Sequence, residues 1–210
     1  MKAQSSIISV VIIAGVIVAM VGAAYIWAVP MIEKRTTITD YTLAENLMLE
    51  LNDRIVEIAN TGSGEATVEI AAGTLEVRGY NFTGEGNNTV TLDFYVNQPL
   101  ITEGGTIPIK TSSLDYIGEY GKARPRILTL SGFPEGGQTH LKMDMRYREL
   151  RSSAPKGYVI ALCPPTGASC DARMSGGREV RLYYDHSAVE PRDQLEGGDL
   201  TVIYIGIEVS

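Results

Sequence analysis

Thiol and imidazole are scarce in this chain of 210 residues, which has two cysteines and two histidines. Cys163 and Cys170 close the segment CPPTGASC, and His140 and His186 stand at no ligand spacing from them. A zinc site or a CxxC redox centre is therefore not expected. The cysteines read instead as a short loop staple, if the domain lies outside the cell, or as two unlinked buried thiols. Clustered positive charge is missing as well. The formal net charge is -7 with no run of Lys or Arg, so a nucleic-acid partner is disfavoured, because neutralising phosphates needs grouped cations. There is no Walker or dinucleotide glycine pattern, no EF-hand loop, no internal repeat and no low-complexity linker. No constellation of nucleophile, base and orienting group emerges. Asp185, His186 and Ser187 have the residue types of a triad, but as neighbours on a strand end they cannot form its geometry, so His186 reads as a solvated loop residue. His140 opens a strand and is expected to be exposed. No catalytic residue, metal ligand or cofactor is assigned.

What the chain does have is a long run without charge. Ile7 to Val29, IISVVIIAGVIVAMVGAAYIWAV, holds 23 residues. At about 1.5 Å per residue, this run spans a hydrocarbon core of about 30 Å. Inside lipid its backbone must satisfy itself, so it is predicted to be a helix. The run contains no Leu. It combines Val and Ile with Gly15, Gly22 and several Ala, a mixture that permits close helix–helix approach. The run is too long for an ordinary secretory signal, although Ala23, Ala24 and Ala28 imitate a cleavage site. Residues 1–6 form the leader and flank, 7–29 the hydrophobic helix, 30–62 a helix extension and 63–210 a β-rich domain.

Pro30 should bend this helix rather than end it. The β-branched stretch Thr36–Tyr41 is expected to interrupt it, and Thr42-Leu43-Ala44-Glu45 reads as a capping box for a new start. Ala44, Leu47, Leu51, Ile55 and Ile58 then recur at threes and fours, an apolar stripe that should cover the domain's own sheet. The Gly-Ser segment after Asn60 stops the helix. From Glu65 the period becomes two, and eight segments read as strands. In one of them Leu141, Met143, Met145 and Tyr147 share a face, as in a half-buried antiparallel strand. The run Leu200–Val209 is apolar enough to be a central strand buried on both sides. Residues 79–89 and 187–198 read as loops. The fold class is α+β: a long N-terminal hydrophobic helix followed by an antiparallel β-sandwich-like domain.

The N-terminal flank carries a family likeness. Lys2-Ala3-Gln4 sets a positive charge and a small residue directly before the apolar run, and Gln4, Ser6 and Ile12 match the start of the segment. This resembles the class III (prepilin-type) signal peptide of archaeal type IV pilin-like proteins. The resemblance implies cleavage by a prepilin-type peptidase between Ala3 and Gln4. It also implies a membrane-inserted form before assembly, and a helical filament in which Ile7–Val29 packs against copies of itself. Ile8 stands where the family has an acidic residue, which keeps open a membrane-anchored minor or accessory subunit. An anchored extracytoplasmic binding domain is a further alternative. Two sequons, at Asn81 and Asn87, are candidate N-glycosylation sites. The flanking charges do not favour a cytoplasmic N-terminus, but the cysteine pair, the sequons and the β-domain favour an outside domain. The expected location is the cell surface.

Overall fold

The computed structural model describes residues 2–81, 88–97, 105–111, 113–152, 156–165, 170, 173–192 and 198–210. One helix, α1 (Lys2–Thr61), precedes twelve strands. In chain order these are β1 (Glu65–Glu69), β2 (Thr74–Arg78), β3 (Thr89–Val96), β4 (Thr106–Pro108), β5 (Ile117–Glu119) and β6 (Arg126–Glu135). There follow β7 (Gln138–Tyr147), β8 (Glu149–Arg151), β9 (Lys156–Cys163), β10 (Arg173–Gly176), β11 (Glu179–Arg192) and β12 (Gly198–Val209).

α1 is continuous, so the expected interruption at 36–41 does not occur. Two causes combine. Thr36, Thr39 and Thr42 donate their hydroxyls back to the carbonyls of Ile32, Arg35 and Ile38 at 3.1, 3.0 and 2.8 Å, so each polar group is satisfied within the helix. Thr42 therefore points backwards along the helix and is not an N-cap. The second cause is tertiary. The stripe Ala44, Leu47, Leu51, Ile55 and Ile58 is buried, together with Met48 and Ala59, and this packing outweighs the weak local propensity. Pro30 lies inside the helix and does not end it. Gly62, at φ +64°, turns the chain out of the helix, and its N–H reaches the Ile58 carbonyl at 3.0 Å.

The strands form two six-stranded sheets. The first runs β1-β11-β12-β9-β8-β5 and the second β10-β2-β3-β7-β6-β4. Pairing is antiparallel except for β12 with β9 and β5 with β8. The helix stripe and the inner faces of both sheets make one core, from Leu51 and Ile55 through Leu92, Leu128 and Met143 to Ile160, Leu182 and Ile205. β7 alternates as its sequence requires, with Leu141, Met143, Met145 and Tyr147 buried between β3 and β6. β12 is central. Its Ile205 and Ile207 enter the main core, while Leu200, Val202 and Tyr204 belong to a second, smaller core with Val159 and Ala161.

The strand count exceeds the eight candidates for identifiable reasons. The segment TVEIAAGTLEV divides at Gly73, and its halves join different sheets. There φ is +86° and an added Cβ would lie 2.5 Å from the Asp93 carbonyl oxygen, so only glycine fits. β5 and β10 are too short to carry a periodic signal. Residues 187–192, expected to be a loop, extend β11 against β12. A register shift between Tyr184 and His186 lets β11 continue, and the N-terminal end of β12 supplies the partner.

Candidate membrane and assembly helix

The first described side chains of α1 are not covered by the β-domain. Residues 10–27 are all exposed, with Ile26 at 76% and Trp27 at 69%. This helix is long and apolar enough to cross a membrane, and its most apolar window is 0% buried. An exposed apolar surface of this extent needs a lipid or protein partner. An added Cβ at Gly15 or Gly22 meets nothing within 4 Å, so both positions are open to an approaching helix. Ala3, Gln4 and Ile7 lie in the first turns of α1, and Val29 is half-buried. Beyond it Lys34 and Arg35 are exposed, which places charge at the domain-proximal end of the apolar run.

The helix runs unbroken across the junction between its two halves. From Thr37 onward the helix is gripped by the β-domain, and Glu45 pairs with Lys110 at 2.5 Å. Below that, Asn52 accepts a long 3.4 Å hydrogen bond from the Tyr147 hydroxyl. Burial pushes the Tyr147 phenol far above its ordinary pKa. Arg126 lies beside Tyr147, and burial lowers its pKa.

The remaining candidate residues do not converge. Cys163 and Cys170 are joined by a disulfide, with Cα atoms 4.3 Å apart. The bridge sits over the smaller core beside Tyr80. Gly79 is essential there, because an added Cβ would collide with the Cys170 carbonyl oxygen. Asp185, His186 and Ser187 lie in β11 rather than in a loop and are all exposed. His186 stacks on Tyr204 with ring centroids 4.3 Å apart, and its Nδ1 lies 3.0 Å from Asp185 Oδ2. His140 is not freely exposed as expected: its side chain is 25% accessible, stacks on Tyr95 and lies 3.0 Å from Asp93. The β-sheet register brings these partners together, which no local pattern announces. Among the described residues no group of three His, Cys, Asp or Glu could hold a metal ion.

Of the sequons, Asn81 is half-buried and Asn87 lies outside the described residues. Between them and β3 the sequence reading missed Asn88, which is buried at φ +66°. Its Nδ2 donates to the carbonyls of Tyr147 and Ile160 at 3.2 and 2.7 Å, and its Oδ1 accepts from the Leu162 N–H at 2.8 Å. One side chain thus ties β7 of one sheet to β9 of the other. The only local signal is that Asn tolerates the left-handed region.

No protein-family model, no curated protein and no solved structure matches this chain.

Proposed function

We propose that this chain is a structural subunit of an archaeal type IV pilus-like surface filament. The observation that carries the reading is the single uninterrupted helix, half exposed and apolar, half built into the core of a β-domain. Such a helix holds its domain at a defined position relative to whatever covers the apolar half. Packed against copies of itself, the apolar half forms a filament core and the β-domains tile the outside. Before assembly the same surface is covered by lipid. Transfer from lipid to filament exchanges one apolar environment for another, so extraction does not incur the full aqueous penalty of about 25 cal/mol per Å². Gly15, Gly22 and the neighbouring alanines permit close packing in the assembled state. A prepilin-type peptidase and further copies of the chain are the partners in this reading. The β-domain faces outward at the cell surface, and the role is structural rather than catalytic.

A second reading is an anchored minor or accessory subunit, favoured by Ile8 at the position that is acidic in the resembled family. Intact mass and N-terminal sequencing of the protein recovered from its native surface test the processing step. A mature chain starting at Gln4 supports the proposal; one starting at Met1 or after Ala28 refutes it. Gly15→Leu and Gly22→Leu then separate assembly from anchoring. Leu favours membrane insertion but holds neighbouring helices apart. Insertion should persist while purified filaments disappear. Normal filaments from the double variant would refute close packing at these positions, and a wild type without filaments would favour the accessory reading.

A further inference from the structure

A cleft of about 290 Å³ lies on the outer face of the second sheet, far in sequence from the apolar helix. Its floor is built from the outward-facing residues of β6 and β7, namely Ile127, Thr129, Asp144 and Arg146. Thr106 of β4 borders one side, and Leu114 and Tyr116 form the wall.

The wall is fixed in advance by a buried cation. Arg148 is 3% exposed. It donates from Nη1 to the carbonyls of Ser113 and Asp115 at 3.2 and 3.0 Å, and from Nε to that of Arg124 at 2.9 Å. Gly118 makes this possible, since an added Cβ would stand 3.1 Å from the Arg148 Nε and 2.8 Å from Leu150. The segment that carries Leu114 and Tyr116 is thereby held in place without reference to any ligand. Tyr116 is 56% exposed and stacks over the Arg146 guanidinium at 4.8 Å.

The chemistry of the lining is selective. It offers one cation and one anion, so it carries no net charge with which to retain an ion. Asp144 accepts from the Thr91 hydroxyl at 2.6 Å, and a carboxylate has further acceptor sites beyond that one. Arg146 forms no ion pair with a carboxylate among the described residues, and its donors are not committed to Asp144. The Thr106 hydroxyl can donate and accept, while that of Thr129 donates to the Asp144 carbonyl at 3.5 Å and is left as an acceptor. Beside them stand two aliphatic side chains and the Tyr116 ring, which has one face on the Arg146 guanidinium and the other left to a ligand. A neutral ring with adjacent hydroxyls on its edge and C–H groups on its face matches every part of this lining. The volume suits one such ring rather than an extended chain.

We infer that the cleft walled by Leu114 and Tyr116 and floored by Thr129, Asp144 and Arg146 binds a neutral pyranose unit of a saccharide. The inference is independent of how the apolar helix is used.

The test uses the full chain in a zwitterionic detergent that contains no sugar. A panel of neutral methyl pyranosides is offered at millimolar concentration, and saturation-transfer NMR reads binding and ring orientation. At least one neutral pyranoside should receive saturation, strongest on the C–H face that lies against Tyr116. Tyr116→Ala and Asp144→Asn should each weaken it about tenfold, the loss expected for one stacking or hydrogen-bonding partner. Tyr95→Ala, on the same sheet but outside the cleft, should leave it unchanged. Thermal melting confirms that each variant is folded. If Tyr116→Ala unfolds the domain, Asp144→Asn decides. No transfer to any neutral pyranoside, transfer that survives both cleft variants, or binding confined to acidic sugars or inorganic phosphate would overturn the assignment.

Discussion

Asn88 shows how much a single side chain can hold. Its amide joins carbonyls and an N–H from two sheets, and its positive φ is one that Ala adopts at a cost. Asn88→Ala should lower unfolding free energy by about 3 kcal/mol, read by urea denaturation of the detergent-solubilised chain. The Cys163–Cys170 bridge acts on the unfolded ensemble instead. Closing so short a loop contributes about 2–3 kcal/mol, so the double Cys→Ala variant should lose that amount. The tyrosines set the alkaline limit. Burial pushes Tyr158 up to about 12, and burial with a hydrogen bond to Glu190 pushes Tyr204 up to about 12. Tyr147 rises further by burial. In each case the folded state favours the protonated phenol. The associated stability is therefore fully present below the ordinary value of 10.0 and is lost as pH rises from there through about 12. Tyrosinate absorbance of these three residues should develop together with loss of far-ultraviolet circular dichroism, not ahead of it.

At the scale of elements, α1 is two helices by composition and one by hydrogen bonding. The C-terminal half is held by its buried stripe, with Leu51 and Ile55 wholly inaccessible. Leu51→Ala should cost about 2–5 kcal/mol, because it leaves a cavity where both sheets converge on the helix. The threonine stretch between the halves carries β-branched residues, which are poor helix formers in isolation. The back-bonds of Thr36, Thr39 and Thr42 satisfy three of its hydroxyls, and burial of the following stripe outweighs the cost of the unpartnered, buried Thr37 hydroxyl. In the strands, legibility depends on length. Where the period was strong, as in β7 and β12, the element and its buried face were legible. The three-residue β5 and β8 have too few positions to establish a period, and both are defined by their neighbours.

For the whole molecule, the consequence of an exposed apolar half is separability. Residues 10–27 make no burial with the β-domain. A chain beginning at Met31 should therefore stay folded, with a melting temperature close to that of the full chain, and should no longer partition into membranes or detergent. A large drop in melting temperature would mean that the apolar half packs on the domain.

Hydropathy and residue period alone specify the apolar helix, its length and lack of charge, the buried stripe that follows it and the α+β class. Each of these rests on residues close together in the chain, where hydropathy and period act directly. Long-range packing settles that the helix is continuous, that β1 and β2 part into different sheets, and that residues 187–192 extend a strand. The same packing assembles the cleft from β4, β6, β7 and the segment before β5, with Arg148 behind its wall. Those features depend on groups far apart in sequence meeting across a sheet register, and no local pattern encodes which carbonyl a buried guanidinium will find.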